Sequence, residues 1–386
     1  MIHNNPVMLH NIYKKVNNSH IVWFGQSHRW VQFEEPAWFV NRLYHKGIDS
    51  YAISCRLARK YNIPPMECQA FVDEICATIT DLSKPVTVSS SNFNSACFSA
   101  DYSFVPYSCR HYLIDRKHFA LSYETRLAEY CIHPPLAHLE ISHSENVDIH
   151  YEICNRTDIS AIREKNDPET PHVFNDFNRL RKRLFIKMVN AVYHKTNNDW
   201  LSFVHASALT DGKQTVLLSS ASGSGKSTMA ALLQARGLKL VSDDFVPIDG
   251  KTRRAFPFPA AISVKEGAFD LLSPYYGNLR DITFNRYEYT HKSVRYLTPK
   301  YAEMTGLTAR PVKGIVFIRY NPLASCDFTP VPSDEALKLF HEQAWVSGSS
   351  EHAEVFLNWF LNLKFVRLEY GNTEDGINKV LGLFEM

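Results

Sequence analysis

The 386-residue sequence has almost no net charge: 42 Lys and Arg stand against 40 Asp and Glu. That balance excludes a general polyelectrolyte partner and makes nucleic acid an unexpected one. Also missing is any Cys-x-x-Cys pair. The eight cysteines fall at 55, 68, 76, 97, 109, 131, 154 and 326, so neither a zinc signature nor a disulfide ladder emerges. Reduced thiols in a cytoplasm are the expectation. No apolar run approaches the roughly 18 residues of a membrane span, and the opening MIHNNPVMLHNIYKK lacks a signal-peptide core. A cytoplasmic protein with no membrane partner follows. What is plentiful is packing material: 45% hydrophobic residues, with 24 Phe and 19 Tyr, enough for two or three cored domains. A homo-oligomer is compatible with this composition.

The chain is organised around TVLLSSASGSGKSTMAALLQARGLKLVSDDFVPID, residues 215–249. The apolar run Val216–Leu218 predicts a strand, and Met229, Leu232 and Leu233 give helical spacing over 226–236. Between them, Ser220 to Ser227 matches the phosphate loop GxxxxGK(S/T), except that Ser220 replaces its first glycine. Gly223 and Gly225 permit the torsions that turn consecutive N–H groups inward, and the following helix aims its positive end at the same point. The expected nucleotide-phosphate binders are Ser222, Gly223, Ser224, Gly225, Lys226, Ser227 and Thr228. Lys226 would reach the terminal phosphates, and the Ser227 hydroxyl would ligate the magnesium accompanying ATP. A dinucleotide fold fits less well, because GSGKST lacks the third glycine of GxGxxG and its lysine has no part in that fingerprint. A strand at 238–242 then delivers Asp243 and Asp244 to the carboxyl edge, where ligands of open α/β sheets sit. One carboxylate can hold magnesium while the other takes a proton from an attacking hydroxyl.

Residues 20–82 predict a small module: a hairpin of 20–24 and 29–33 with Gly25 in the turn, then helices at about 36–44, 50–61 and 65–80. Pro36 and Pro65 suit first helical turns, Asp49 is a cap, and Phe71, Ile75 and Ile79 form a stripe. The serine-rich stretch 83–96 is the clearest linker. Farther on, 111–114, 119–123, 139–141 and 149–153 predict strands, 162–171 an exposed loop, and 174–194 a long helix with a basic cluster that includes Arg181. His205 lies in a strand expected at 200–208. Lys265, Arg295 and Arg319 are cations beside predicted strands, with Arg295 favoured for neutralising a moving phosphoryl group. Residues 270–293 are expected to be irregular and suited to a lid; 315–320 and 365–370 predict strands, and 334–342 and 351–362 helices.

Two resemblances emerge from these residues. WVQFEEPAWFVNRLYHKGIDSYAISCRLARKYNIPPMECQAFVDEI resembles the PqqD-like domains that recognise leader peptides of ribosomally made, modified peptides. The likeness implies a winged-helix-like α+β module in which a peptide adds as a strand near Val31, Phe33 and the helix holding Leu57. The alternatives are a purely structural appendage and a DNA-binding winged helix, although Arg56, Arg59 and Lys60 are few for the latter. The order of His205, the loop about fifteen residues later, and the strand ending in two aspartates resembles the HPr kinase/phosphorylase family, particularly its peptide-kinase relatives. It implies an α/β P-loop kinase domain of the HPr kinase/PEP carboxykinase type over 97–386. Asp243 would act as base with His205 tuning it, Lys226 and Arg295 would serve catalysis, and Ser227 and Asp244 would hold Mg2+. The expected function is transfer of the ATP γ-phosphoryl group to a serine of a peptide or protein. The alternatives are a kinase for free serine or another metabolite and an ATP-sensing DNA-binding regulator.

Overall fold

In the computed structural model, the residues described are 11–85, 104–156, 159–165, 172–174, 176–221, 223–287, 292–300 and 308–385. The chain is mixed α/β, with several sheets, and divides into two compact units. One comprises residues 1–89, 331–342 and 346–362; the other comprises 90–330, 343–345 and 363–386. The span 97–386 thus contributes to both units. Its helices Ser333–His341 and Ser350–Leu361 belong with the amino-terminal segment.

In the first unit, helices run over Glu35–Tyr44, Ser50–Tyr61 and Pro65–Leu82, close to the predicted bounds. Asp49 caps the second by accepting from the Ala52 N–H at 2.9 Å. Replacing Asp49 with alanine should cost this unit about 1 kcal/mol, read as a lower denaturation midpoint. The hairpin is present as Ser19–Phe24 against Arg29–Glu34, and Ile12–Val16 adds a third strand that polar IYKKV did not signal. Every residue of Ser19–Phe24 is buried. The helix pair from later in the sequence contributes to this burial environment: the Trp30 and Phe356 rings lie 5.5 Å apart, and Asn17 donates to Asp334. The expected stripe is rotated, since Cys68, Val72 and Ile79 are buried while Phe71 is exposed. Phe33 and Leu57, expected to touch peptide, are themselves core residues. Of the linker, 86–96 lies outside the described residues.

In the second unit, the largest sheet places Lys239–Ser242, Ala206–Thr210, Thr215–Ser219 and Arg310–Tyr320 side by side, with Lys364–Tyr370 beyond. The last three run parallel, and Ala206–Thr210 is antiparallel to both of its neighbours. Four strands therefore end at one edge. The antiparallel strand begins there, immediately after His205. Helix Lys226–Ala235 covers this sheet through Met229, Leu232 and Leu233. Helix Thr373–Glu385, which had no counterpart in the sequence reading, packs so closely that a Cβ on Gly376 would lie 2.8 Å from the Tyr370 ring and 3.1 Å from Met229.

A six-stranded sheet includes Ser108–Ile114, Lys117–Tyr123 and Ile149–Arg156, and packs its apolar face against helix Phe177–Tyr193. Within 162–171, residues up to Glu164 belong to strand Ile159–Glu164 rather than to a loop. The expected lid at 270–293 is also corrected. Leu272, Tyr276 and Leu279 share the core of the phosphate-loop helix, and the Tyr276 hydroxyl donates to the Ala231 carbonyl at 2.7 Å. Residues 288–291 lie outside the described residues. No helix among the described residues is long and apolar enough to cross a membrane.

Candidate active site

The glycines sit where the loop needs them. Gly223 has φ +95° and Gly225 φ +96°, in the left-handed region that costs other residues roughly 1–2 kcal/mol. Gly225 has a second constraint, since a side chain there would lie 3.2 Å from the Tyr370 hydroxyl. The loop is anchored from its flank: the Tyr320 N–H donates to the Ser224 carbonyl at 3.1 Å. Helix Lys226–Ala235 starts directly after Gly225, so its unpaired N–H groups face the loop's concavity. Lys226 is buried and donates to the Ser220 carbonyl at 2.9 Å. Ser227 and Thr228 occupy the first turn, and Ser222 lies outside the described residues. Among the described residues, the buried hydroxyls of Ser219 and Ser220 have no hydrogen-bond partner, and such orphans in a polar loop suit a ligand.

The two aspartates point to different places. Asp243 is 3% exposed. Its Oδ1 accepts from Ser207 Oγ at 2.5 Å and Ser227 Oγ at 3.2 Å, and its Oδ2 accepts from the Ser263 N–H at 3.2 Å. Burial, and then the charge of Asp244, push its carboxyl up to about 7. Asp244 adopts φ +61°, tolerable for Asp, and this turns its side chain outward to 53% exposure. Loss of solvent acts to raise its carboxyl, but the hydrogen bond and charge of His205, with the charges of Lys226 and Arg181, hold it below the ordinary range. His205 Nε2 lies 3.2 Å from Asp244 Oδ1, and its Nδ1 lies 3.2 Å from Gln343 Oε1. Contrary to the sequence reading, the histidine therefore orients Asp244 and not Asp243. The reason is topological: His205 lies just outside the strand that carries Ser207, so the serine faces the buried carboxylate and the histidine the exposed one.

The cations also lie differently from the order expected of them. Arg295 Nη1 donates to the carbonyls of Leu279, Arg280 and Ile282, and its guanidinium lies over Phe269, 4.9 Å from the ring centroid. Its Nη1 thus fastens the loop at 279–282, instead of lying beside the phosphate loop. Lys265 is the cation beside the phosphate loop, with Nζ 3.9 Å from where a side chain on Gly223 would begin. Strand parity explains the exchange. Arg295 pairs with Val264, whose side chain enters the core, whereas Lys265 shares a face with Ser263, next to Asp243. Arg319 is 72% exposed and 4.0 Å from Glu369. Ser207 and Ser263 were not anticipated. Only the two-residue spacing of Ser207 from His205 hinted at the first.

Among the described residues, no group of three or more His, Cys, Asp and Glu is placed to hold a metal. Magnesium requires no such group, because it commonly takes one or two protein oxygens and completes its shell with phosphates and water. The contact between Ser227 Oγ and Asp243 Oδ1 supplies two hard oxygen donors at one point. No protein-family model matches the chain, and no characterised protein matches it in sequence.

Proposed function

We propose that this chain is a magnesium- and ATP-dependent kinase of the HPr kinase type that phosphorylates a serine hydroxyl of a peptide or protein. The observation that carries the reading is the division of labour between adjacent aspartates at the mouth of a phosphate loop: one buried and joined to Ser227, the other exposed and joined to His205. This geometry supports exchanging the roles assigned from sequence. Ser227 and Asp243 would hold Mg2+, which when bound neutralises charge on the β- and γ-phosphates. Asp244 would receive the acceptor.

In the proposed step, the serine Oγ approaches the γ-phosphorus from the side of Asp244. The Oγ–P bond forms as the bridge from the γ-phosphorus to the β-phosphate oxygen breaks, ADP departs, and the hydroxyl proton passes to Asp244. A depressed carboxylate is a weak base, but a loose phosphoryl-transfer transition state asks chiefly for orientation of the nucleophile. Lys226 and Lys265 bracket the loop and supply the positive charge.

The amino-terminal unit would grip the acceptor, as its resemblance to PqqD-like domains implies. With Phe33 and Leu57 in the core, strand addition at the backbone of Arg29–Glu34 is the contact left to it; among the described residues that strand pairs only with Ser19–Phe24. Tethering raises the local acceptor concentration. Incubation of the full chain with ATP, Mg2+ and serine-containing peptides, followed by mass measurement, should show peptides gaining one phosphoryl group. Phosphorylation of free serine at the same rate, unaffected by a competing peptide, would instead assign a metabolite kinase.

A further inference from the structure

The edge that carries the loop has two flanks. Asp243, Asp244 and His205 occupy one. On the other, Arg310–Tyr320 and Lys364–Tyr370 run parallel to the loop strand and end in Tyr320 and Tyr370. A triphosphate held by the loop with its transferred end toward the aspartates has its nucleoside end directed to this second flank.

The surface there is apolar and firmly built. Tyr320 is 48% exposed, its Cβ lies 3.5 Å from where a side chain on Gly225 would begin, and its ring is 5.5 Å from that of Tyr370. The next turn presents Leu323, 94% exposed. That turn is fixed by the Asn321 N–H on the Tyr370 carbonyl and the Ala324 N–H on the Asn321 carbonyl, both 3.0 Å. It also packs so tightly that a Cβ on Gly371 would meet the Ala324 carbonyl at 2.5 Å. An aromatic face and a bare leucine, held rigid beside a phosphate cradle, match the apolar faces of a nucleobase.

We infer that Tyr320, with Leu323 beside it, is the platform on which the base of the phosphoryl donor stacks. The inference rests on reading the loop as a phosphate cradle. Asn321, next in the chain after Tyr320, donates Nδ2 to Glu369 Oε1 at 2.7 Å and accepts the Leu323 N–H on Oδ1. One of its two amide hydrogens and one of its two oxygen lone pairs are thus spent on fixing the turn, and base recognition there falls chiefly to the ring face. Stacking is tolerant of base identity, so the platform takes purine nucleoside triphosphates and separates adenine from guanine only weakly.

Binding of ATP, GTP and inorganic tripolyphosphate, each with Mg2+, to the full chain and to its Tyr320→Ala and Tyr320→Phe variants tests this. Tyr320→Ala should weaken ATP and GTP alike, on the order of ten-fold, and leave tripolyphosphate unchanged, with Tyr320→Phe close to the unaltered chain. Unchanged nucleotide affinity in Tyr320→Ala would overturn the platform. An equal loss of tripolyphosphate would overturn it too, by showing that the ring only props the loop. If the unaltered chain binds nucleotide but not tripolyphosphate, the cradle reading fails first and takes the platform with it.

Discussion

Replacing Asp243 with asparagine is expected to stabilise the metal-free chain above pH 7 and to abolish phosphoryl transfer. Both effects come from burying a carboxyl that must ionise to work. Asp243 is pushed up to about 7 by burial and then by Asp244, against about 3.9 for an aspartate in an unfolded chain. A carboxyl raised on folding binds more protons in the native state than in the unfolded one. Its stabilising contribution is therefore complete below about pH 4 and lost as pH rises through 7. Asparagine is neutral throughout and fits the same partners. Its Oδ1 can accept the Ser263 N–H, and its Nδ2 can donate to the hydroxyls of Ser207 and Ser227, which rotate to suit. With chelator present, thermal denaturation should show the stability difference between the two chains widening in favour of the asparagine variant from pH 5 to 8, to a few kcal/mol at pH 8, because the partly buried histidines whose titration also changes with folding are common to both and cancel. Parallel curves would mean that Asp243 is already ionised in the free protein. In the same variant the proposed metal loses a charged ligand, so transfer should vanish. A variant that is more stable yet inactive separates function from folding.

The sequence conveyed those features whose information is local. The phosphate loop, its lysine and its hydroxyl follow from a spacing that works only as strand, turn and helix; Gly223 and Gly225 take the positive φ that the motif requires. The start of helix Ser50–Tyr61 is legible from its Asp49 cap. What could not be read was set by pairing across the chain. Ile12–Val16 is mostly polar and becomes a strand through its register with Ser19–Trp23. The charged stretch from Ile162 reads as a loop, but Ile162 to Glu164 complete the strand Ile159–Glu164, where Arg163 lies opposite Glu152 and pairs with it. Helices at 333–341 and 350–361 are evident as helices, yet nothing local says that His341 and Phe356 pack against Trp30, some three hundred residues earlier. That arrangement changes how the amino-terminal unit should be studied. Deleting residues 1–82 would strip these helices of their partners and confuse recognition with misfolding. Single substitutions on strand Arg29–Glu34 are the cleaner probe.

At the candidate site, the residue types were legible and their orientations were not. Asp243 and Asp244 are neighbours, so sequence alone gives them equal claims; the positive φ at Asp244 decides which is buried and which meets His205. For Lys265 and Arg295 the deciding quantity is strand parity, and a shift of one residue would have reversed the result.

Substituting Lys226 with alanine should remove transfer almost entirely while leaving the fold intact. Lys226 opens the helix behind the loop, is 6% exposed, and rests its Nζ on the Ser220 carbonyl at 2.9 Å. An ammonium that rests on a carbonyl at the mouth of a polyphosphate cradle gains from turning to phosphate, since a charge-assisted bond to a phosphate oxygen is far stronger than one to an amide oxygen. Alanine loses that hydrogen bond, worth about 1 kcal/mol, and gains helix propensity in return, so thermal stability should change little. The loss in kcat/KM should be on the order of a thousand-fold, the upper end for deleting one preorganised donor. Arginine should not restore it, because a planar fork cannot occupy the pocket of a point charge behind Gly225. Lys226 also helps hold the Asp244 carboxyl down, so the variant's remaining activity should respond to acid at a higher pH than that of the unaltered chain. Full transfer by Lys226→Ala, measured in single turnover with ATP and Mg2+, would show that the phosphates bind elsewhere, and the assignment of both aspartates would then fall as well.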